Sequence, residues 1–118
     1  MTPTRDLAAK LCVLMIEDSE SDAGLLRRHL EHNGFDVYAE RVETEAQLRG
    51  ALTRAAWDLV LCDYHVPGFE ARNALATLRA IDEDVPLIVV SGVIPDEEAL
   101  GLMRDGACDY VMKSNLAR

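Results

Sequence analysis

Five short apolar runs, LCVLMI (11–16), FDVYA (35–39), LVLC (59–62), PLIVV (86–90) and DYVM (109–112), recur with a helix-length segment between neighbours. No other feature of the sequence limits the fold so strongly. Runs one, three and four are almost continuously apolar, the pattern of central strands covered on both faces. Run two alternates Phe35, Val37 and Ala39, which suits an edge strand with one wetter side. The segments between keep helical spacing. Ser21 offers an N-cap ahead of Asp22, Leu25, Leu26, His29 and Leu30, and Asn33-Gly34 offers a stop. Thr44, with Gln47 three residues on, makes a capping box before Leu48, Ala51, Leu52 and Ala55. Ala71, Ala74, Leu75, Leu78 and Ile81 form a third stripe. Pro95-Asp96-Glu97-Glu98 opens a fourth helix, which carries Leu100 and Met103 and closes at Gly106.

Strands alternating with helices imply parallel pairing through right-handed crossovers. The expected fold class is α/β: a flavodoxin-like, doubly wound, five-stranded parallel sheet in the order 2-1-3-4-5. The 118 residues suffice for one domain over 1–118 with a core of its own. After the fifth run only SNLAR (114–118) remains, so the last helix is largely missing. The expectation is an N-terminal module with a downstream output domain in the same chain. Lacking that helix, it should be less stable, or more prone to dimerise, than a chain extended by about four helical turns.

Charge excludes some partners. Net charge is −9, from 21 acids against 12 bases, with no basic cluster, which argues against nucleic acid or an anionic membrane. No apolar stretch is long enough for a membrane span or a signal peptide, so the chain reads as cytoplasmic. Cys12, Cys62 and Cys108 are odd in number, widely spaced and set in or beside apolar runs. They read as small buried hydrophobes in a reducing compartment, not as a disulfide or metal site. His29 and His32 have no third ligand in view and read as solvated helix-face residues.

In such a sheet the carboxyl ends of the strands share one edge, and ligands bind there. Glu17 and Asp18 follow strand one, Asp63 strand three, Ser91 strand four and Lys113 strand five. Singly, each has an ordinary explanation as a cap, a turn residue or a solvated charge. Together they are five coincidences on one edge, including an avoidable pair of adjacent carboxylates. Three close carboxylates cannot all stay ionised without a cation or a proton. Oxygen-only donors suit a hard ion, Mg2+ above all. A carboxylate beside such an ion can serve as nucleophile toward phosphorus, with Lys113 and Ser91 to neutralise and hydrogen-bond the phosphoryl group.

With these residues in order and at family spacing, the chain resembles the receiver domain of a two-component response regulator, over nearly its whole length. The resemblance implies that Asp63 accepts a phosphoryl group from a histidine kinase or phosphotransfer domain. It implies Asp18 and Asp63 as direct Mg2+ ligands, Glu17 on metal-bound water and the His65 backbone carbonyl in the shell. It further implies Ser91 and Tyr110 as the switch pair, Lys113 on the phosphoryl group, and a homodimer or output surface on helix four and strand five. Pro67-Gly68 fits the family's turn after the phosphoacceptor. Ser114 stands where the family usually has proline. His65 and Val93, two past Asp63 and Ser91, border the implied path of water to the phosphoryl group.

Other readings use the same residues. An aspartyl-nucleophile phosphatase of the haloacid-dehalogenase type wants a second acid two residues past the nucleophile, where His65 stands. A flavodoxin-like FMN carrier wants a Ser/Thr/Gly loop in place of Glu17-Asp18. A pseudo-receiver would dock partners without phosphorylation.

Overall fold

The computed structural model describes residues 10–92, 96–107 and 109–113. Expectations placed on Val93, Pro95, Cys108, Ser114 and the segment 115–118 lie outside the described residues.

The chain runs β1 (Leu11–Ile16), α1 (Glu20–His32), β2 (Val37–Val42), α2 (Glu45–Arg54), β3 (Leu59–Asp63), β4 (His65–Val66), β5 (Phe69–Glu70), α3 (Ala71–Ile81), β6 (Leu87–Ser91), α4 (Asp96–Arg104) and β7 (Asp109–Met112). Five of the strands form one parallel sheet in the order β2-β1-β3-β6-β7, which is 2-1-3-4-5 for the five apolar runs. Side chains of β1 alternate between two cores. Leu14 and Ile16 join Val60, Cys62, Leu87 and Val89 beneath Leu48 and Leu52 of α2, Leu75 and Leu78 of α3 and Leu102 of α4. Val13 and Met15 join Leu61 and Val90 on the other face, with Leu26 of α1. Burial on both faces is why β1, β3 and β6 are continuous apolar runs. Among the described residues, no helix is long and apolar enough to cross a membrane.

Several expectations are corrected. The second strand is Val37–Val42, displaced from the apolar run at 35–39. Phe35 is exposed and bonds back through its amide to the Leu30 carbonyl, in a turn where Gly34 takes a left-handed φ of +95°. The N-cap of α1 is Ser19, whose hydroxyl accepts from the Asp22 amide at 3.2 Å, not Ser21. The Thr44 cap of α2 forms as expected, but the Gln47 side chain accepts from the Glu43 amide, one residue earlier than a capping box requires. Among the described residues of α4, Leu102 is buried, while Leu100 and Met103 are exposed.

The turn expected at Pro67-Gly68 is the tip of a short β4–β5 hairpin that apolar spacing does not show. The hairpin is an antiparallel pair, His65 opposite Glu70 and Val66 opposite Phe69, around Pro67-Gly68. Gly68 at φ +76° lets the two-residue turn close, and Val66 and Phe69 are buried.

Candidate functional site

Strand register assembles the site. Ile16 stands beside Cys62, so the next residues, Glu17 and Asp63, leave neighbouring strands at one level. Asp63 stands beside Val90, which puts Ser91 one step further. Ser91 stands beside Met112, and Lys113 follows directly. The shared carboxyl edge thereby becomes a short staircase of polar side chains.

Carboxylate oxygens of Glu17, Asp18 and Asp63 lie within 4.8 Å of one another. Glu17 is 1% exposed and Asp63 6%, whereas Asp18 reaches solvent. Burial, then the charge of Asp63, pushes the Glu17 carboxyl up to about 7, only partly offset by the Ser19 amide and Lys113. Its Oε1 is buried and accepts no hydrogen bond, although the Lys113 ammonium stands 3.4 Å away. A buried oxygen without a hydrogen bond, inside a cluster of hard oxygen donors, fits a small divalent cation.

Lys113 is the cationic counterpart. Its Nζ is 3.5 Å from Asp63 Oδ2 and makes a 2.6 Å hydrogen bond to Asp22 Oδ2. Burial works against its charged form, but the Asp22 hydrogen bond and the charges of Asp63 and Glu17 outweigh it, so its pKa is raised. Ser91 is fully buried at the end of β6. Tyr110, half-buried on β7, packs against the core shared by α2, α3 and α4. The His65 amide donates to Asp63 Oδ1 at 3.3 Å, and its exposed ring meets Tyr64 edge-on.

Three participants escaped sequence reasoning. Asp22 reads as an ordinary first-turn acid complementing a helix dipole, yet it grips Lys113 across 91 positions of sequence. Ser19 orients Glu17, its amide donating to Glu17 Oε2 at 3.2 Å. Arg41 donates to the Glu17 carbonyl at 3.1 Å and is itself held by Glu43 and Glu20. The only signal for Arg41 was a cation at the carboxyl end of the edge strand. Cys62, next to Asp63, is no nucleophile: burial pushes its thiol up to about 12.

Beside this cluster a cavity of about 530 Å3 opens between the β4–β5 hairpin and α4, lined by Tyr64, His65, Glu70, Arg72, Glu98 and Leu102. None of the clustered carboxylates lines it.

The family model described as "Response regulator receiver domain" matches residues 13–117. The chain is 32% identical over 101 residues to the transcriptional regulatory protein PrrA of Mycobacterium tuberculosis, covering 86% of this chain and 42% of PrrA. It is 34% identical over 111 residues to protein-glutamate methylesterase/protein-glutamine glutaminase 3 of Paramagnetospirillum magneticum, covering 91% of this chain and 30% of that protein. Among solved structures, a response regulator from Hahella chejuensis superposes with a TM-score of 0.77 at 25% identity, over 88% of this chain and 80% of its own. The chain thus spans less than half the length of these curated relatives.

Proposed function

This chain belongs to the response regulator receiver domain family, and from that premise we propose that it works as a phosphorylation-dependent signalling switch with Asp63 as phosphoacceptor. The observation that carries the reading is the convergence of Glu17, Asp18 and Asp63 within 4.8 Å, with Lys113 at 3.5 Å from Asp63. The donor is a histidine kinase or phosphotransfer domain in the cytoplasm.

Asp18 and Asp63 would hold Mg2+ directly, with Glu17 on its water and the His65 carbonyl completing the shell; the ion would polarise phosphoryl oxygens and offset the negative charge of the cluster. The chain's own residues do the rest. An Asp63 carboxylate oxygen attacks phosphorus; the new O–P bond forms as the N–P bond of phosphohistidine breaks, and the imidazole nitrogen keeps the electron pair. Lys113 stands within Coulombic range to neutralise the added oxygens, and the Ser91 hydroxyl donates to one of them. The low exposure of Asp63 slows hydrolysis by limiting water.

The output is a population shift. Ser91 moving toward the phosphoryl group vacates space into which Tyr110 turns, which changes the surface of α4 and β7. That surface carries exposed Leu100, Met103 and Met112, suited to an output domain or to a second copy of the chain. Since the curated relatives are more than twice as long, the chain is read as a receiver module with its output domain elsewhere in the same protein.

Incubation with acetyl phosphate and Mg2+ should add a single phosphoryl group, found by intact mass and mapped to Asp63. Asp63→Asn should take up none. Equal labelling of Asp63→Asn would overturn the assignment.

A further inference from the structure

We propose that Asp22 is a positioning residue, holding the Lys113 ammonium off Asp63 in the unphosphorylated protein so that the acid cluster stays open to a divalent cation. The inference rests on the reading of Asp18 and Asp63 as that cation's direct ligands, with Glu17 on its water.

Lys113 Nζ has three carboxylate neighbours at unequal distances: 2.6 Å to Asp22 Oδ2, 3.4 Å to Glu17 Oε1 and 3.5 Å to Asp63 Oδ2. Only the first has hydrogen-bond geometry; the other two are Coulombic approaches. A lysine on a flexible stem beside two buried carboxylates gains most by closing onto one of them, because charge-assisted hydrogen bonds away from water are the strong ones. Lys113 instead bonds to Asp22, the most exposed of the three at 40%. The choice follows from placement. Asp22 belongs to the first turn of α1, where the Ser19 cap fixes its backbone, so its carboxylate comes from a different element than either buried acid.

The consequence is specific to the resting protein. An ammonium bonded to Asp63 or Glu17 would occupy lone pairs that the cation or its water needs, and the ion would have to displace it. With the ammonium on Asp22, Glu17 Oε1 remains without a hydrogen bond, and Asp63, whose Oδ1 accepts from the His65 amide at 3.3 Å, has Lys113 only as a Coulombic neighbour at 3.5 Å. Lys113 nevertheless stays close enough to meet a phosphoryl group added at Asp63. A competing explanation makes Asp22 merely an acid complementing the α1 dipole. That role is indifferent to Lys113, and this difference separates the two.

The test is a calorimetric titration of MgCl2 into wild type, Asp22→Asn, Lys113→Met and the double variant. Asp22→Asn should weaken Mg2+ binding about threefold to tenfold when Lys113 is present, the scale of contacting-residue coupling. In the Lys113→Met background the same change should cost less than about twofold, the direct effect of one exposed charge. Asp22→Glu, which keeps the carboxylate, should recover most of the affinity. An equal fold-change in both backgrounds, or no change in either, overturns the role of Asp22 alone. Failure of wild type to take up Mg2+ overturns the ligand reading itself, and this inference with it.

Discussion

The two ends of β3 each carry an aspartate, and the molecule treats them in opposite ways. Asp58, before the strand, is exposed; its carboxylate accepts from the Cys12 amide at 2.8 Å, and its own amide donates to the Cys12 carbonyl at 2.8 Å. The pair staples the start of β3 to β1. Asp63, at the end, is buried, accepts from the His65 amide at 3.3 Å, has the Lys113 ammonium at 3.5 Å and stands level with Glu17 across the register. One carboxylate is fitted to the fold. The other is crowded by two further carboxylates and shares one ammonium whose hydrogen bond goes to Asp22, an environment that an added cation or proton relieves.

The largest effect that sharpens this contrast is a pH dependence. Glu17 is pushed up to about 7, so the folded protein holds a proton that the unfolded chain releases in the ordinary carboxyl range. In that window the unfolded state binds fewer protons, so stability of the cation-free protein falls as pH rises toward about 7 and levels off above it. The loss should be on the order of 2 kcal/mol, read by urea denaturation in EDTA at about pH 5 and about pH 8. Saturating Mg2+ should recover it at the higher pH. A flat profile in EDTA would break the contrast between the two ends of the strand.

Next in size are substitutions of opposite sign. Asp63→Asn removes a charge facing Glu17 and should raise cation-free stability by about 1–2 kcal/mol at neutral pH. Asp58→Ala removes the acceptor for the Cys12 amide and should lower stability by about 1 kcal/mol without affecting phosphoryl labelling. Both are read from denaturant midpoints, and shifts of the same sign would dissolve the distinction. Smallest in scope is Ser19→Ala. Losing the α1 cap should cost about 1 kcal/mol, and because the Ser19 amide still reaches Glu17, labelling of Asp63 should persist.

The same contrast explains how much of the molecule was legible in sequence. Strands β1, β3 and β6 are bounded by where both faces are covered, so apolar continuity marks them within one residue. The edge strand β2 is different. It carries Glu40 and Arg41 toward its end, and burial is confined to Val37 and Val42, so the apolar run at 35–39 pointed too early. The β4–β5 hairpin is two residues a side, too short to show alternation. The α1 cap was ambiguous because Ser19 and Ser21 both precede a helical run, and only the turn off the acid pair selects Ser19. Residues projecting from strand ends could be placed together because strand order fixes that edge. Asp22 could not, because its significance is a contact with a residue 91 positions away, which no local pattern encodes. Arg41 was hidden for a related reason: it acts on the backbone carbonyl of Glu17, and carbonyls carry no sequence signature.

One measurement bears most directly on the claim that these three acids are gathered for a cation. Crystals soaked in MnCl2 and measured at the manganese absorption edge should give one strong anomalous peak bounded by the Asp18 and Asp63 carboxylates, with Glu17 alongside. A peak elsewhere, or none at saturating metal, would contradict the account.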